Sequence, residues 1–286
     1  MNVKAQDVKL LREKTGAGIM DCKKALKESD GDIEKATKLL KEKGLAEVKQ
    51  RSGREAKEGA INVFYSKDRN EVIMVEVNCE TDFVSRTDKY TEFVQKVSQV
   101  VFDEGTENPA DLPESVQKLV KGAIASFGEN ILLRKIVKFN KTGENLSVFH
   151  SYIHLGGKVG VIIEFFIENE NIKEDNSFKE FINNVALQIA SMGPLSVSRE
   201  DFSEKLVEEQ REIFSKQAKE SGKPEKIIEK IVTGRMNKYF SEMSLLEQKY
   251  VKDSDLTIGK YLAGTEKKVN GKIEVKRFAR FKLGEE

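Results

Sequence analysis

The chain has 286 residues, of which 34% are charged and 38% hydrophobic, and its formal net charge is +1. This length is enough for two or three compact units. The hydrophobic content is enough for folding and argues against general disorder. The near-neutral charge argues against the broad positive field of a nucleic-acid-binding protein, so a protein partner is the better expectation.

The cysteines and the longest apolar run bear on the cellular compartment. Cys22 and Cys79 lie far apart, which is typical of small buried thiols in a reducing compartment rather than of a disulfide framework. The best apolar run, residues 159–167, is interrupted by Glu164, and the first residues lack the apolar segment of a signal peptide. We therefore expect a cytoplasmic protein without a membrane span.

Residues 1–46 are predicted to form a module of three short helices, because apolar residues recur at helical spacing in each. Asp32 can begin the third helix and Gly44 can end it. Between the first two helices, a tight glycine turn leads into Ile19 and Met20. A P-loop would need Lys and Ser or Thr at those two positions, so the turn is not a phosphate loop. Ile19 and Met20 are then either core residues or an apolar docking surface.

Residues 59–140 are predicted to form the first half of an α+β core, after a charged linker at 47–58 that has no apolar period. Two alternating runs around a polar turn predict a β-hairpin, and amphipathic helices and an extended segment follow it. The predicted segments are strands at 59–66 and 71–79, helices at 87–104 and 114–127 with Gly128 as the stop, and an extended stretch at 130–140.

Residues 141–198 repeat this order. A second hairpin, of residues 145–154 and 158–167, turns at Gly156-Gly157, and a helix at 177–191 follows. From this pattern we expect two similar hairpin-plus-helix subdomains that pack as one core.

Residues 199–250 are predicted to form a protruding helical hairpin, an arm with its break at Gly222-Lys223-Pro224. A narrow apolar stripe on the first helix would face a matching stripe on the second. The stripe residues are Phe202, Leu206, Ile213 and Phe214 before the break, and Ile227, Ile228, Ile231 and Val232 after it.

Residues 251–286 return to the core, with a short helix at 256–262 and a strand at 271–283. One face of that strand is basic, from Lys276 to Lys282, which leaves an RNA-binding alternative. A solvated strand face is the better interpretation, because the only aromatic residues beside the charges are two Phe that the strand is expected to bury.

The segment around Phe83 departs from ordinary patterning. Residues 71–79 alternate as a half-buried strand does, with Ile73, Val75, Val77 and Cys79 on one face. Thr81 and Asp82 then favour a turn or a helix cap, so Phe83 follows where the strand has ended. Either Phe83 and Val84 pack the next helix onto the core, or Phe83 is exposed.

Two motifs resemble the signatures of bacterial translation elongation factor Ts. The first is Asn-Cys-Glu-Thr-Asp-Phe-Val at residues 78–84, and the second is Thr-Gly-Ala-Gly-Ile-Met-Asp-Cys-Lys-Lys-Ala-Leu at residues 15–26. The resemblance implies a guanine-nucleotide exchange factor that binds the GTPase elongation factor Tu, in its GDP-bound or nucleotide-free form. It also implies the two-subdomain core and a helical arm that contacts the partner or helps the protein to dimerise; monomer and homodimer stay open.

The same resemblance implies roles for individual residues. Thr81, Asp82, Phe83 and Val84 would dislocate the partner's Mg²⁺. The first module is similar to ubiquitin-associated modules and would grip the GTPase, which makes Arg12, Ile19 and Met20 candidate contacts. His154 matches a family histidine that reaches the partner.

Nothing in the sequence indicates catalysis or a resident metal or other cofactor. His150 and His154, four residues apart on a predicted strand, would lie about 13 Å apart, too far for one zinc ion. With so few nucleophiles and bases, hydrolysis is not expected, and the protein would act by binding. The alternative is a helical protein-interaction adaptor without exchange activity.

Overall fold

A computed structural model describes residues 3–51, 53–141, 146–220, 222 and 224–285, with the backbone alone for 44–50. Two predicted features extend beyond this part of the chain, namely the strand start at Asn145 and Lys223 in the arm's break. The fold is α+β, as predicted. Its helices and antiparallel sheets form an N-terminal helical module, a core with two sheets and a helical hairpin.

The N-terminal module consists of α1 (Ala5–Thr15), α2 (Ile19–Glu28) and α3 (Ile33–Arg51). Gly16 has a φ of 69° and ends α1 in the left-handed region, as the glycine turn predicts. Asp32 accepts hydrogen bonds from the first amides of α3, which confirms it as the cap. The prediction that Gly44 ends α3 is wrong, because the helix continues to Arg51. The module has a small core of its own: Leu11, Cys22, Ala25, Leu26 and Ala36.

The first half of the core begins with the hairpin of β1 (Glu58–Tyr65) and β2 (Glu71–Cys79). The short helix α4 (Asp82–Ser85), the long helices α5 (Asp88–Asp103) and α6 (Glu114–Phe127), and β3 (Leu132–Asn140) follow. The strand β3 pairs with β2, so the sheet order is β1-β2-β3. Thr87 caps α5 through its side chain. Gly128 ends α6 in the left-handed region, as predicted.

The second half begins in the same way, with β4 (Leu146–His154) and β5 (Val159–Ile167) as a hairpin. The helices α7 (Asn171–Glu174) and α8 (Asn176–Met192) follow. Phe178, Phe181, Val185 and Ile189 of α8 pack on the inner face of β5, beside Phe165. This packing forms the core of the second half.

The arm consists of α9 (Glu204–Lys219) and α10 (Glu225–Met243). They pack through Phe214, Val232 and Met236, whereas Ile213 and Ile227, which the predicted stripe placed in the contact, are exposed. Helical geometry explains the difference: each of the two precedes a residue that does face the other helix, and neighbouring positions are rotated by about 100°.

The chain then returns through β6 (Lys249–Tyr250), β7 (Asp253–Thr257), α11 (Ile258–Val269) and β8 (Ile273–Lys282). The helix predicted at 256–262 begins two residues later and runs further. The strand β8 pairs with β5 and gives the second sheet the order β4-β5-β8. Thus each half places the second strand of its hairpin at the centre of its sheet.

The two sheets pack face to face. Ile61, Val72, Met74 and Phe139 of the first sheet meet Phe149 and Ile162 of the second in one buried cluster. The strand β2 is therefore buried on both faces from Val72 to Cys79, and its prediction as a half-buried strand is wrong. The second sheet covers the face that the sequence pattern left to solvent.

A buried glutamate occupies the same place in each half. Glu76 in β2 and Glu164 in β5 are each the sixth residue of a central strand and lie beside an irregularity in the pairing with the third strand. Arg277 of β8 donates to the Glu164 carboxylate at 2.7 Å and to the carbonyl of Asn140, at the end of β3, at 2.7 Å. This arginine thereby ties the two sheets together.

Candidate partner-binding site

The strand β2 ends in a turn that exposes one aromatic side chain. Thr81 is extended, and α4 begins at Asp82. Phe83 is 84% exposed, the highest value among the large hydrophobic residues that the structure describes. Val84 is half-buried and packs against the core of the first half. Packing onto the core is therefore right for Val84 and wrong for Phe83.

Buried polar groups fix the end of β2 below this turn. The Cys79 thiol donates to the Thr81 carbonyl at 3.2 Å, and the Tyr90 hydroxyl donates to the Val77 carbonyl at 2.9 Å. Burial raises the pKa of the Cys79 thiol to about 11 and also raises the pKa of Tyr90. Both groups stay protonated at neutral pH, as these donated hydrogen bonds require.

The loop between α6 and β3 holds the turn from the other side. The Glu129 carboxylate accepts from the amides of Glu80 and Thr81, both at 3.0 Å, and from the Thr81 hydroxyl at 2.5 Å. Sequence reasoning missed Glu129. The only local signal is its position after the helix stop Gly128, and nothing in the sequence indicates a contact across 48 residues.

The predicted contacts of the N-terminal module lie at its surface. Ile19 is 54% exposed and Met20 74% exposed at the start of α2. Arg12 is exposed near the end of α1 and, with Ile19, lines a shallow cavity of about 360 Å³. The structure thus brings Arg12 and Ile19 together, while Met20 does not line that cavity.

His154 is the last residue of β4 and is half-buried. Its Nδ1 lies 2.9 Å from the Tyr152 hydroxyl, and the two rings are stacked with centroids 5.6 Å apart. In the turn that follows, the Gly157 carbonyl accepts from the Ile61 amide at 2.8 Å. Ile61 lies near the start of β1, and the start of β1 pairs with the end of β2, which leads into the Phe83 turn. The His154 hairpin and the Phe83 turn therefore lie at the same end of the core.

The N-terminal module also meets the core near this end. The Ser126 hydroxyl, in the last turn of α6, lies 3.4 Å from the Gly16 carbonyl and accepts from the Lys89 ammonium at 2.6 Å. Lys89 belongs to the first turn of α5, shortly after the Phe83 turn. The glycine turn before Ile19 is therefore close to the segment that presents Phe83.

Neither a metal cluster nor a membrane helix occurs in the part of the chain that the structure describes. No group of three or more His, Cys, Asp or Glu side chains there could hold a metal ion. No helix there is both long and apolar enough to cross a membrane. His150 is half-buried on β4, and burial lowers the pKa of its imidazole.

These features are typical of a protein that acts through binding surfaces: the exposed Phe83 on its turn, the helical module with Ile19 and Met20 at its surface, and the helical hairpin. The family profile described as Elongation factor TS matches residues 80–285. The chain is 42% identical to Elongation factor Ts of Clostridium botulinum over 290 residues, which cover 99% of this chain and 93% of that protein. It is 40% identical to Elongation factor Ts of Halothermothrix orenii, with coverage of 100% and 93%. The chain belongs to the elongation factor Ts family.

Proposed function

We propose that this protein is the guanine-nucleotide exchange factor of elongation factor Tu and promotes GDP release during translation elongation. The proposal rests on the family and on one observation, the 84% exposure of Phe83 on a turn that buried groups hold in place. A large exposed apolar side chain is costly in water, and burial against a partner removes that cost.

In the proposed mechanism, Thr81, Asp82, Phe83 and Val84 disturb the partner's Mg²⁺ site. Phe83 would enter the partner and shift a packed element, and displacement of the Mg²⁺ ligands would remove the positive charge that holds the diphosphate. Because linkage is reciprocal, factor and nucleotide weaken each other's binding by the same factor. A coupling of about ten-thousandfold requires roughly 5.5 kcal/mol. No bond is made or broken, so the protein acts by binding and not as an enzyme.

Four further residues are proposed to secure the partner. Ile19 and Met20 would supply apolar contact, Arg12 a charge beside them, and His154 a contact from the hairpin tip. The partner would be elongation factor Tu in its GDP-bound or nucleotide-free form, in the cytoplasm. We propose that the chain is divided into the following units: module 1–46, linker 47–58, subdomains 59–140 and 141–198, arm 199–250 and return segment 251–286.

The test is the release of a fluorescent GDP analogue from elongation factor Tu, with and without this chain. We expect release to accelerate with factor concentration and to reach a plateau. Phe83→Ala is the matched variant and should bind but release slowly. If this chain, at concentrations that saturate its binding, leaves the rate of GDP release the same as in its absence, the proposal is contradicted.

The second candidate is an adaptor that binds a protein without exchange activity. The exposed Ile19 and Met20 favour it, because a module of this kind can dock on its own. The adaptor does not account for the exposed Phe83. Binding to a ubiquitin column, together with unaltered GDP release, would favour the adaptor.

A further inference from the structure

The loop of residues 128–130 connects the Phe83 turn with the segment that leaves the N-terminal module. On one side, the Glu129 carboxylate holds the amides of Glu80 and Thr81, and Glu80 in return accepts from the Asn130 amide at 2.6 Å. On the other side, the Asn130 side chain, which is 1% exposed, donates to the Arg54 carbonyl at 2.7 Å. The Arg51 guanidinium donates to the carbonyl of Gly128.

The helix α4 cannot set the direction of Phe83 by itself. It has only four residues, and a single helical turn is unstable in isolation. Its cap Thr81 makes no side-chain bond to the amides of α4; its hydroxyl is directed to Glu129 instead. Hydrogen bonds to a carboxylate are about twice as strong as neutral ones. The orientation of α4 therefore depends on Glu129, 48 positions after Thr81 along the chain, in addition to the packing of Val84 against the core.

We propose that Glu129 is a positioning residue that holds Phe83 in the direction needed to act on the partner. The inference rests on the proposed function. A preoriented aromatic side chain avoids the cost of being ordered during binding. Since Phe83 acts in the distorted complex under that function, loosening its turn slows nucleotide release more than it weakens docking. Glu129 itself need not touch the partner.

The first test measures the free protein and needs no partner. The chain contains no tryptophan, so a single introduced tryptophan can serve as the probe. Phe83→Trp gives the protein one tryptophan, whose local motion in the free factor is measured by time-resolved fluorescence anisotropy. Adding Glu129→Ala should at least double the amplitude of this motion. Adding Glu129→Gln, whose amide oxygen can still accept from the backbone, should change it by less than half as much. Equal amplitudes with and without the Glu129→Ala substitution would overturn the proposal.

The second test separates maximal rate from docking in the GDP-release assay. Glu129→Ala should lower the maximal rate about tenfold and change the half-saturating factor concentration less than twofold, and Glu129→Gln should recover most of the rate. The exposed Glu107, in the loop between α5 and α6, provides the matched control Glu107→Ala, which should leave both values unchanged. A tenfold rise in the half-saturating concentration at an unchanged maximal rate would overturn the proposal.

A double variant decides whether Glu129 acts through Phe83. Glu129→Ala combined with Phe83→Ala should release GDP no more slowly than Phe83→Ala alone, whereas independent roles would multiply the two losses and refute the proposal. If Phe83→Ala alone leaves release unchanged, the proposed function fails, and the anisotropy result still decides the role of Glu129. If Glu129→Ala loses cooperative melting, Thr81→Val replaces it in each of these experiments. Thr81→Val should lower the maximal rate of GDP release about threefold. An unchanged maximal rate would contradict the proposal.

Discussion

Phe83 and Val84 are neighbours with opposite surroundings. In one turn of helix, Val84 packs into the first half and Phe83 extends into solvent. This arrangement lets Phe83 change its environment on binding while Val84 keeps the turn in place. It also separates the stability of the factor from its proposed action.

Phe83→Ala should slow GDP release without destabilising the free protein. Truncating a buried aromatic anchor of an interface typically costs about 2 kcal/mol or more, which corresponds to about thirtyfold. Because the side chain is exposed in the free protein, its loss should change the free energy of unfolding by less than about 0.5 kcal/mol. Stopped-flow release and urea unfolding of the same variant check both numbers. Destabilisation with normal release would instead assign Phe83 to the core.

The two thiols should react only after unfolding. Cys22 and Cys79 are both buried, and burial raises both pKa values, that of Cys79 to about 11. The thiolate is the reactive form, and at pH 8 a thiol of that pKa is ionised to only about one part in a thousand. Both thiols should react slowly with an aromatic disulfide in buffer. In denaturant both should react fast. Rapid reaction of Cys79 in buffer would contradict its burial at the end of β2.

At the scale of elements, tertiary contacts decide where helices end. Gly44 lies inside α3, although glycine in a helix interior costs about 1 kcal/mol relative to alanine. The helix α3 meets α6, and Arg51 at its end bonds to Gly128. These contacts offset the glycine and carry the helix into the predicted linker.

Deletion of residues 1–50 should leave a folded remainder that binds elongation factor Tu more weakly. The module has its own core, and its deletion removes no strand of the two three-stranded sheets. Circular-dichroism melting and the half-saturating concentration in the release assay provide the measurements. In the full chain, Ile19→Ser with Met20→Ser is the matched control, which should weaken binding without lowering the melting temperature. Exchange with unchanged concentration dependence after deletion would show that the module is not a grip.

Removal of the arm should leave the core folded, provided that its base is kept. The two helices pack on each other, but Leu245 and Tyr250, which follow α10, belong to the core of the second half. Replacing residues 202–243 by a short Gly-Ser linker should therefore preserve cooperative melting. Replacing residues 199–250 is the matched control and should abolish it, since it removes both core residues. Loss of cooperative melting in the shorter replacement would show that the core depends on the arm.

At the scale of the molecule, the two sheets form one body through an unusually close approach at Gly160. A Cβ atom at this position would lie 2.4 Å from Ile61 Cγ2 and 2.8 Å from Met74 Sδ. Both neighbours belong to the opposite sheet. Only glycine fits between these side chains without displacing them.

Gly160→Ala should destabilise the whole core, because it overpacks the contact between the sheets by one methyl group. Overpacking of this kind costs about 1–3 kcal/mol. Gly122→Ala is the matched control, because Gly122 lies inside α6 with open space around its Cβ position, and it should stabilise by about 0.5–1 kcal/mol. Urea unfolding measures both. Equal effects of the two substitutions would show that the sheets do not require this approach.

Local chemistry was enough for much of this protein. The glycine turn at Gly16, the cap Asp32, the stop Gly128 and both hairpins follow from short-range preferences, and each agrees with the structure. For Phe83 the sequence left core packing and exposure both open, and the structure has Phe83 exposed. Neighbouring residues set these features, so they can be found in one sequence.

The sequence alone determined the α+β class, the order of the elements and the family motifs. Only the tertiary structure decided that β3 joins β2, that β8 joins β5, and that the two sheets bury β2 on both faces. It alone placed Glu129 against the Phe83 turn and carried α3 past Gly44. In each case the deciding contact joins segments distant along the chain, and its energy depends on packing and geometry that no local pattern records.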